Sequence, residues 1–183
     1  MPQILRRTLL LGCCALAPLV VTTAFADSVA ESVRRIVPSA PPKMADRVVV
    51  RKSERVLYLM RGEEVLRQYH IALGLNPVGH KERSGDFRTP EGRYWLTRRN
   101  THSDYFLSIQ VSYPNDADER KARRNRWDPG GSIMIHGLPN NPRHSPGHYA
   151  SRDWTDGCIA VSNADMVEIW LMTDNNTPID IRP

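Results

Sequence analysis

Short apolar segments separated by turn residues run along most of this chain, and they restrict its fold more than any other feature. Such segments begin at Val48, Val56, Val65, Tyr94 and Ser108. Short or alternating apolar runs bounded by turn residues are typical of β-strands. Fourteen prolines and eleven glycines supply the turns. The pattern predicts a mainly β domain with a few helices, an α+β fold.

Two helices are expected beside the strands. The charged, proline-free stretch 115–127 begins with Asn115 and Asp116, either of which can cap a helix. Ser162 with Asp165 three residues later predicts a capped helix over 163–172. Between two further strands, at 133–135 and 158–161, residues 137–154 are predicted to form a long loop.

The first 26 residues are typical of a secretory signal peptide. Arg6 and Arg7 precede an apolar stretch, and Ala24-Phe25-Ala26 forms a cleavage site of small residues. We therefore predict a signal peptide at 1–26, a proline-containing linker at 27–45, a catalytic domain at 46–183, and export to the periplasm or cell envelope. An N-terminal core helix and a lipid anchor at Cys13 are the alternatives.

Removal of this segment leaves one of the three cysteines, Cys158, and lowers the net charge from +5 to +3. The mature chain then cannot form an internal disulfide, and a lone thiol in an oxidising compartment has to be buried or used.

The small, mixed charge argues against a nucleic-acid partner. No apolar run reaches the roughly 20 residues of a membrane-spanning helix. We expect a monomer without a cofactor.

A histidine and this cysteine lie at the ends of two predicted strands. One strand ends at Ile135-His136-Gly137, and Thr155-Asp156-Gly157-Cys158 leads into another. A catalytic thiol needs a base to take its proton, and an imidazolium nearby lowers the thiol pKa. The backbone amides of Gly157 and Cys158 are candidates for an oxyanion hole. A buried structural thiol and a hydrogen-bonded core histidine are the alternatives.

These motifs resemble the signature of the L,D-transpeptidase catalytic domain, or YkuD, family. The signature is a His-Gly pair, a loop, and then Ser/Thr-His-Gly-Cys followed by an apolar residue and Arg or Asn. Here the resemblance includes Ile159 and Asn163, Thr89-Pro90-Glu91-Gly92 is similar to the family's Thr-Pro-x-Gly turn, and 50–53 and 57–59 are similar to its opening strands. The resemblance covers 46–183.

This resemblance implies a β-sandwich-like, exported enzyme acting on peptidoglycan stem peptides. Cys158 would attack the carbonyl of the meso-diaminopimelate residue, release the terminal D-alanine and form a thioester that an amine or water resolves. His136 would be general base and then acid, and the Gly137 carbonyl would orient it. An L,D-carboxypeptidase or amidase-type hydrolase with the same Cys-His site is the alternative.

Two positions depart from the family pattern: Asp156 stands where histidine is usual, and Ala160 where arginine is frequent. Asp156 would either tune the charge of the His136–Cys158 pair or cap the turn before Gly157.

The loop 138–154 carries the remaining candidates. His148, Tyr149, Arg152 and Trp154 would either form a lid over the thiol and contact substrate, or pack locally. The basic residues Lys81, Arg83, Arg98, Arg99 and Arg143 would form a solvated face or contact stem-peptide carboxylates.

Two rival functions remain open from the sequence, a zinc-dependent wall peptidase and a non-catalytic wall-binding module. The zinc site would draw on a set of six residues: His136, His144, His148, Asp153, Asp156 and Cys158. Pro146 and Gly147 interrupt the i,i+4 pair of histidines, which disfavours a regular helix presenting both. We therefore expect no metal.

Overall fold

The long strand β4 joins two sheets whose strands follow one another almost without interruption. The computed structural model describes residues 43–183, which belong to one compact unit. The predicted signal peptide and nearly all of the linker lie outside the described residues. The elements are β1 Arg47–Arg51, β2 Val56–Arg61, β3 Glu64–His70, β4 Gly92–Ser103, β5 Phe106–Val111, α1 Asp116–Asn125, β6 Met134–His136, α2 Pro146–Ser151, β7 Ile159–Ala160, α3 Asn163–Met172 and β8 Pro178–Arg182.

The strand order is β3-β2-β1-β8-β4-β5-β6-β7. Most neighbours are antiparallel, but β1 with β8 and β6 with β7 run parallel. The beginning of β4 pairs with β8, and from Leu96 onward it pairs with β5 across two register shifts. Ala72, just after β3, exchanges two backbone hydrogen bonds of 2.9 Å with Ala160 of β7. The two outer strands are therefore linked, and the mainly β, sandwich-like architecture is confirmed.

Apolar side chains from both sheets and from α3 fill one core. This core explains the alternating strand pattern of the sequence, because alternate residues face inward. Its fully buried members include Val48, Val50, Leu57, Leu59, Leu73, Leu96, Ile109, Val111, Ile135, Ile159, Met166, Ile169 and Ile179. The strands that carry the candidate site are thus fixed by packing on the side opposite the site.

Both predicted helices are present with the predicted caps. Asn115 accepts hydrogen bonds from the backbone of Ala117 and Asp118, and Ser162 accepts one from Asp165. The loop 137–154 differs from the prediction because it contains the short helix α2. Pro146 does not prevent this helix, since a proline is tolerated in the first turn, where no amide donor is needed.

Strand β4 is much longer than the short apolar segment that begins at Tyr94, because its second half is polar and exposed and therefore lacks an apolar pattern. Two of the basic side chains also have structural roles. Lys81 is buried, with its Nζ 2.8 Å from Asp86 Oδ1, and Arg99 donates to the carbonyl oxygen of Trp170 at 2.7 Å. For these two, the solvated-face interpretation is wrong, because each satisfies its charge inside the fold.

No helix between residues 43 and 183 has the length and apolar character needed to cross a membrane.

Candidate active site

The parallel pair of β6 and β7 brings His136 and Cys158 to one cleft. His136 is the last residue of β6 and pairs in register with Ala160 of β7, while Cys158 directly precedes β7. The cleft has a volume of about 490 Å³. Its lining comprises both residues together with Asn100, His102, Ser103, Asp104, Tyr105, Ser108, Gly131, Ser132, Ile133, Met134, Trp154, Thr155 and Asp156.

The imidazole of His136 is held in one orientation by the backbone. It is only 4% exposed, and its Nδ1 lies 2.7 Å from the carbonyl oxygen of Gly137. A carbonyl oxygen only accepts hydrogen bonds, so Nδ1 carries the proton and Nε2 keeps its lone pair. Burial lowers the pKa of His136 to about 4, partly opposed by the hydrogen bond to Gly137. The ring is therefore neutral at neutral pH and able to accept a proton.

Gly137 is fixed by contacts that require a glycine. Its amide lies within hydrogen-bonding distance of the carbonyl oxygens of Tyr105 and Leu107, at 3.1 and 3.2 Å. A Cβ at this position would lie 2.5 Å from Oδ1 of Asn163. That same oxygen accepts a hydrogen bond of 2.8 Å from the amide of Leu138. Asn163, part of the sequence signature, thus holds the turn that supplies the Gly137 carbonyl.

The thiol of Cys158 is half-buried and protonated at neutral pH. Its Sγ lies 3.6 Å from the carbonyl oxygen of Ser132. Burial raises its pKa, and the Asp156 carboxylate adds to this rise, while the Met134 amide and the Lys81 ammonium oppose it. The lowered thiol pKa predicted from the sequence is wrong for this state, because desolvation outweighs the nearby donors and cation.

Thr155, rather than Asp156, caps the turn before the cysteine. The Thr155 hydroxyl accepts a hydrogen bond of 3.1 Å from the Gly157 amide and donates one of 2.8 Å to the Cys158 carbonyl. Among the described residues Asp156 makes no side-chain hydrogen bond, and it is exposed on the cleft wall. The turn-cap interpretation of Asp156 is therefore wrong.

One of the two amides predicted to form an oxyanion hole is already hydrogen-bonded within the turn. The amide of Gly157 is used by Thr155 in this state, which leaves the Cys158 amide as the other predicted donor. Gly157 has a φ of +130°, and a Cβ there would lie 2.6 Å from the carbonyl oxygen of Arg88. Glycine is required by both the backbone conformation and the close approach.

Aromatic rings cover the histidine on the side of the cleft. The Tyr105 ring centroid lies 4.6 Å from that of His136, and the Trp154 centroid lies 5.6 Å away in an edge-on arrangement. Tyr105 and Ser132 were not among the sequence candidates. Tyr105 follows the exposed end of β4, where no apolar pattern identifies a hairpin that folds back onto the site.

The other loop candidates separate into two groups. Tyr149 is buried and packs against Trp154, with 5.0 Å between the ring centroids, so it helps to position a residue that lines the cleft. His148 instead stacks on His144 at 4.1 Å and lines a separate cavity. Arg152 is exposed at the end of α2 and lines neither the cleft nor that cavity.

Both ends of the loop 138–154 are held by hydrogen bonds to residues outside the loop. Near its beginning, Asn140 donates from Nδ2 to the Ser103 carbonyl at 2.8 Å and accepts from the Phe106 amide at 2.9 Å. Near its end, Asp153 binds the guanidinium of Arg55 and accepts from the amide of Leu73 at 2.8 Å.

Within residues 43–183, no three or more His, Cys, Asp or Glu side chains come together in a way that could hold a metal ion. The six residues of the zinc hypothesis are divided between the cleft, the His144–His148 cavity and the Arg55 ion pair.

Comparison with known proteins gives a consistent family assignment. The model of the L,D-transpeptidase catalytic domain, YkuD, matches residues 45–181. The Escherichia coli (strain K12) protein named "Putative L,D-transpeptidase YafK" is 34% identical over 92 residues, which cover 47% of this chain and 35% of that protein. The chain thus spans about a third of the length of the curated relative that it matches.

Two solved structures show the same fold at lower identity. The helical cell shape determining protein Pgp2 from Campylobacter jejuni superposes with a TM-score of 0.55 and 22% identity, covering 82% of this chain and 54% of that one. Bd1075 of Bdellovibrio bacteriovorus superposes with a TM-score of 0.50 and 24% identity, covering 79% and 52%.

Proposed function

Because the chain belongs to the L,D-transpeptidase catalytic domain family, we propose that it is an exported cysteine acyltransferase acting on peptidoglycan stem peptides. One observation carries this proposal: Cys158 and a backbone-oriented His136 open onto the same cleft from neighbouring parallel strands. A nucleophile, a base and a group that orients the base are the parts that covalent acyl transfer requires.

Acylation begins from a neutral thiol and a neutral imidazole. The Cys158 sulfur attacks the carbonyl carbon of the diaminopimelate residue while its proton passes to Nε2 of His136. The bond to the terminal D-alanine then breaks, and its nitrogen takes the proton from His136 as it leaves. A thioester between Cys158 and the stem peptide remains, and the Cys158 amide stabilises the oxyanion that forms on the way.

Deacylation uses the same histidine in reverse. An incoming amine gives its proton to Nε2 of His136, attacks the thioester carbonyl and releases the Cys158 thiol after the proton returns to sulfur. The product is a new amide. If water attacks instead, the product is a free carboxylate and the enzyme acts as an L,D-carboxypeptidase or amidase-type hydrolase.

Three features of the chain support this assignment. The 490 Å³ cleft is large enough to hold part of a peptide. The signal-peptide pattern in residues 1–26 supports export to the compartment that contains peptidoglycan. The fold shared with Pgp2, a protein that determines helical cell shape, agrees with a role in cell-wall remodelling and cell shape.

The test is incubation of the protein with purified tetrapeptide muropeptides, followed by mass analysis of the products and the enzyme. We expect loss of D-alanine, an acyl adduct on Cys158, and either a cross-linked or a hydrolysed product. Cys158→Ala should abolish turnover without loss of folding, and Cys158→Ser should also be inactive because a hydroxyl is far less acidic than a thiol.

Each alternative has its own outcome in this experiment. Substantial turnover by Cys158→Ala would exclude the covalent mechanism, and activity lost to a strong chelator would support the zinc peptidase. A wall-binding module would keep its phenotype when Cys158 is replaced.

A further inference from the structure

A second cavity lies beside the cleft and is formed mainly by residues of the loop that carries α2. It has a volume of about 370 Å³. Tyr105 and Trp154 line both this cavity and the cleft, so the two spaces adjoin at these rings. The other lining residues are Pro139, Asn141, Arg143, His144, His148 and Tyr149. The two spaces therefore share these two rings as a common boundary.

The side chains of this cavity that can carry charge at neutral or mildly acidic pH are all basic. They are Arg143, His144 and His148, and the chain has no Asp or Glu between positions 129 and 152. Arg143 forms no ion pair with any residue that the structure describes. Asp153 is bound by Arg55, and Asp104 lines the cleft but not this cavity.

The two histidines stack face to face, with centroids 4.1 Å apart and planes 24° apart. Desolvation lowers the pKa of His148, and the positive charges of His144 and Arg152 lower it further. Two neighbouring imidazoles and a guanidinium thus face one space without a compensating negative charge. An anion in that space would be stabilised by all three groups, and would in turn stabilise their charged forms.

We propose that this cavity is a carboxylate subsite, which binds a free carboxylate of the donor stem peptide while the scissile bond of the same peptide lies at Cys158. The inference rests on the proposed function. Arg143 supplies a planar guanidinium suited to bidentate binding of a carboxylate, and the histidines add charge-assisted donors. The subsite therefore selects donor peptides by their charge before the chemical step.

The test uses the full chain with Cys158→Ala, which binds but does not turn over, and measures peptide affinity by calorimetry. The probes are the stem tetrapeptide and the same peptide with its side carboxylates converted to amides. Arg143→Gln should weaken binding of the acidic peptide by about 3- to 10-fold. It should leave binding of the amidated peptide unchanged.

A matched variant separates the cavity from general surface charge. Arg124→Gln removes the same charge from the exposed face of α1, away from the residues that line the cavity. It should change the affinity less than 2-fold, as expected for a screened surface charge. An equal loss in Arg124→Gln, or no preference for the acidic peptide over its amide, would overturn the proposal.

The pH dependence gives a second criterion. Binding of an anion favours the imidazolium forms, so the affinity for the acidic peptide should rise as the pH falls from 7.5 to 5.5. The titratable and charged groups around the pair are Arg143, Arg152, Tyr105, Tyr149 and, across Tyr105, Asp104. The double variant His144→Gln, His148→Gln should flatten this rise, and an unchanged slope would contradict a role of the histidines.

The subsite and the proposed function can fail separately. If the wild-type chain forms the acyl adduct but Arg143→Gln has unchanged affinity and unchanged KM, the subsite is wrong and the function stands. If no adduct forms but the peptide binds with the expected dependence on Arg143, the subsite stands and the transpeptidase reaction is wrong.

Discussion

The strands β6 and β7 and the loop 138–154 hold their functional side chains in different ways. On the strands, backbone atoms and close contacts fix each residue, as the Gly137 carbonyl fixes His136 and the Arg88 carbonyl excludes any side chain at Gly157. In the loop, side chains such as Asn140 and Asp153 hold the ends, and the residues between them are mostly exposed. Sheet register therefore fixes the positions of His136 and Cys158, whereas most loop side chains are not held by such contacts.

The two regions also differ in charge. Burial moves the pKa of His136 down and that of Cys158 up, so both of these groups are uncharged at neutral pH. The loop is cationic and lies close to solvent. A neutral, desolvated site suits proton transfer during the reaction, whereas a cationic surface suits attraction of an acidic peptide.

The largest expected effect is at the strand site. His136→Ala should lower kcat/KM by about 10²-fold or more, the usual scale for loss of a general base. It should also slow alkylation of Cys158 by iodoacetamide at neutral pH, because no base then accepts the thiol proton. Unchanged alkylation kinetics in a folded variant would show that the histidine is structural.

Two glycines compare the regions directly. Gly157→Ala should destabilise the protein by about 3 kcal/mol or more, because φ is +130° and the new Cβ would lie 2.6 Å from the Arg88 carbonyl oxygen. Gly147→Ala in the loop meets no atom within 4 Å and should change stability by about 1 kcal/mol at most. Urea unfolding of both variants measures this, and equal losses would contradict the difference in constraint.

The neutral histidine makes stability depend on pH. Its pKa is about 4 in the folded protein and about 6.5 when unfolded, so between these values the unfolded chain binds more protons. The contribution of His136 to the free energy of unfolding is fully present above pH 6.5, and it falls by about 3 kcal/mol as the pH drops to 4. His136→Gln should remove that part of the slope. The measurement is the difference in unfolding free energy between wild type and variant at several pH values, and parallel curves would contradict the assigned pKa.

The smallest expected effect is at Asp156. Its carboxylate contributes to the raised pKa of Cys158, so Asp156→Asn should lower that pKa. At pH values below the thiol pKa, the variant should be labelled by iodoacetamide about 2- to 3-fold faster than wild type. Stability should not change, because Asp156 caps nothing. Thr155→Val is the matched variant: it removes the cap of the same turn and should cost about 1–2 kcal/mol. Superimposable pH curves of labelling for wild type and Asp156→Asn would exclude the coupling.

Local patterns predicted the strand ends and the helix cap that surround His136 and Cys158. The apolar run ending at His136, the glycine before Cys158 and the cap at Ser162 are all features of short segments, and the family signature relates these segments to one another. The mainly β architecture was predictable for the same reason, since strand periodicity depends on neighbouring residues.

Features that depend on distant segments were not predictable. Tyr105 reaches His136 because the polar hairpin of β4 and β5 folds over the cleft, and nothing in its own sequence specifies that contact. Thr155 and Asp156 are both able to cap a turn, and only the folded backbone shows that Thr155 accepts the hydrogen bond from Gly157. The direction of the Cys158 pKa shift was missed because it depends on burial, which residue type does not determine.

The ties at Asn140 and Asp153 define a segment that can be exchanged as a whole. Residues 141–152 lie between two points that are held independently, so a sequence of similar length that keeps Tyr149 against Trp154 can replace them and leave both ties in place. Under the proposed function, such a chimera is expected to carry peptide preference from one chain to another, while β6 and β7 continue to position His136 and Cys158.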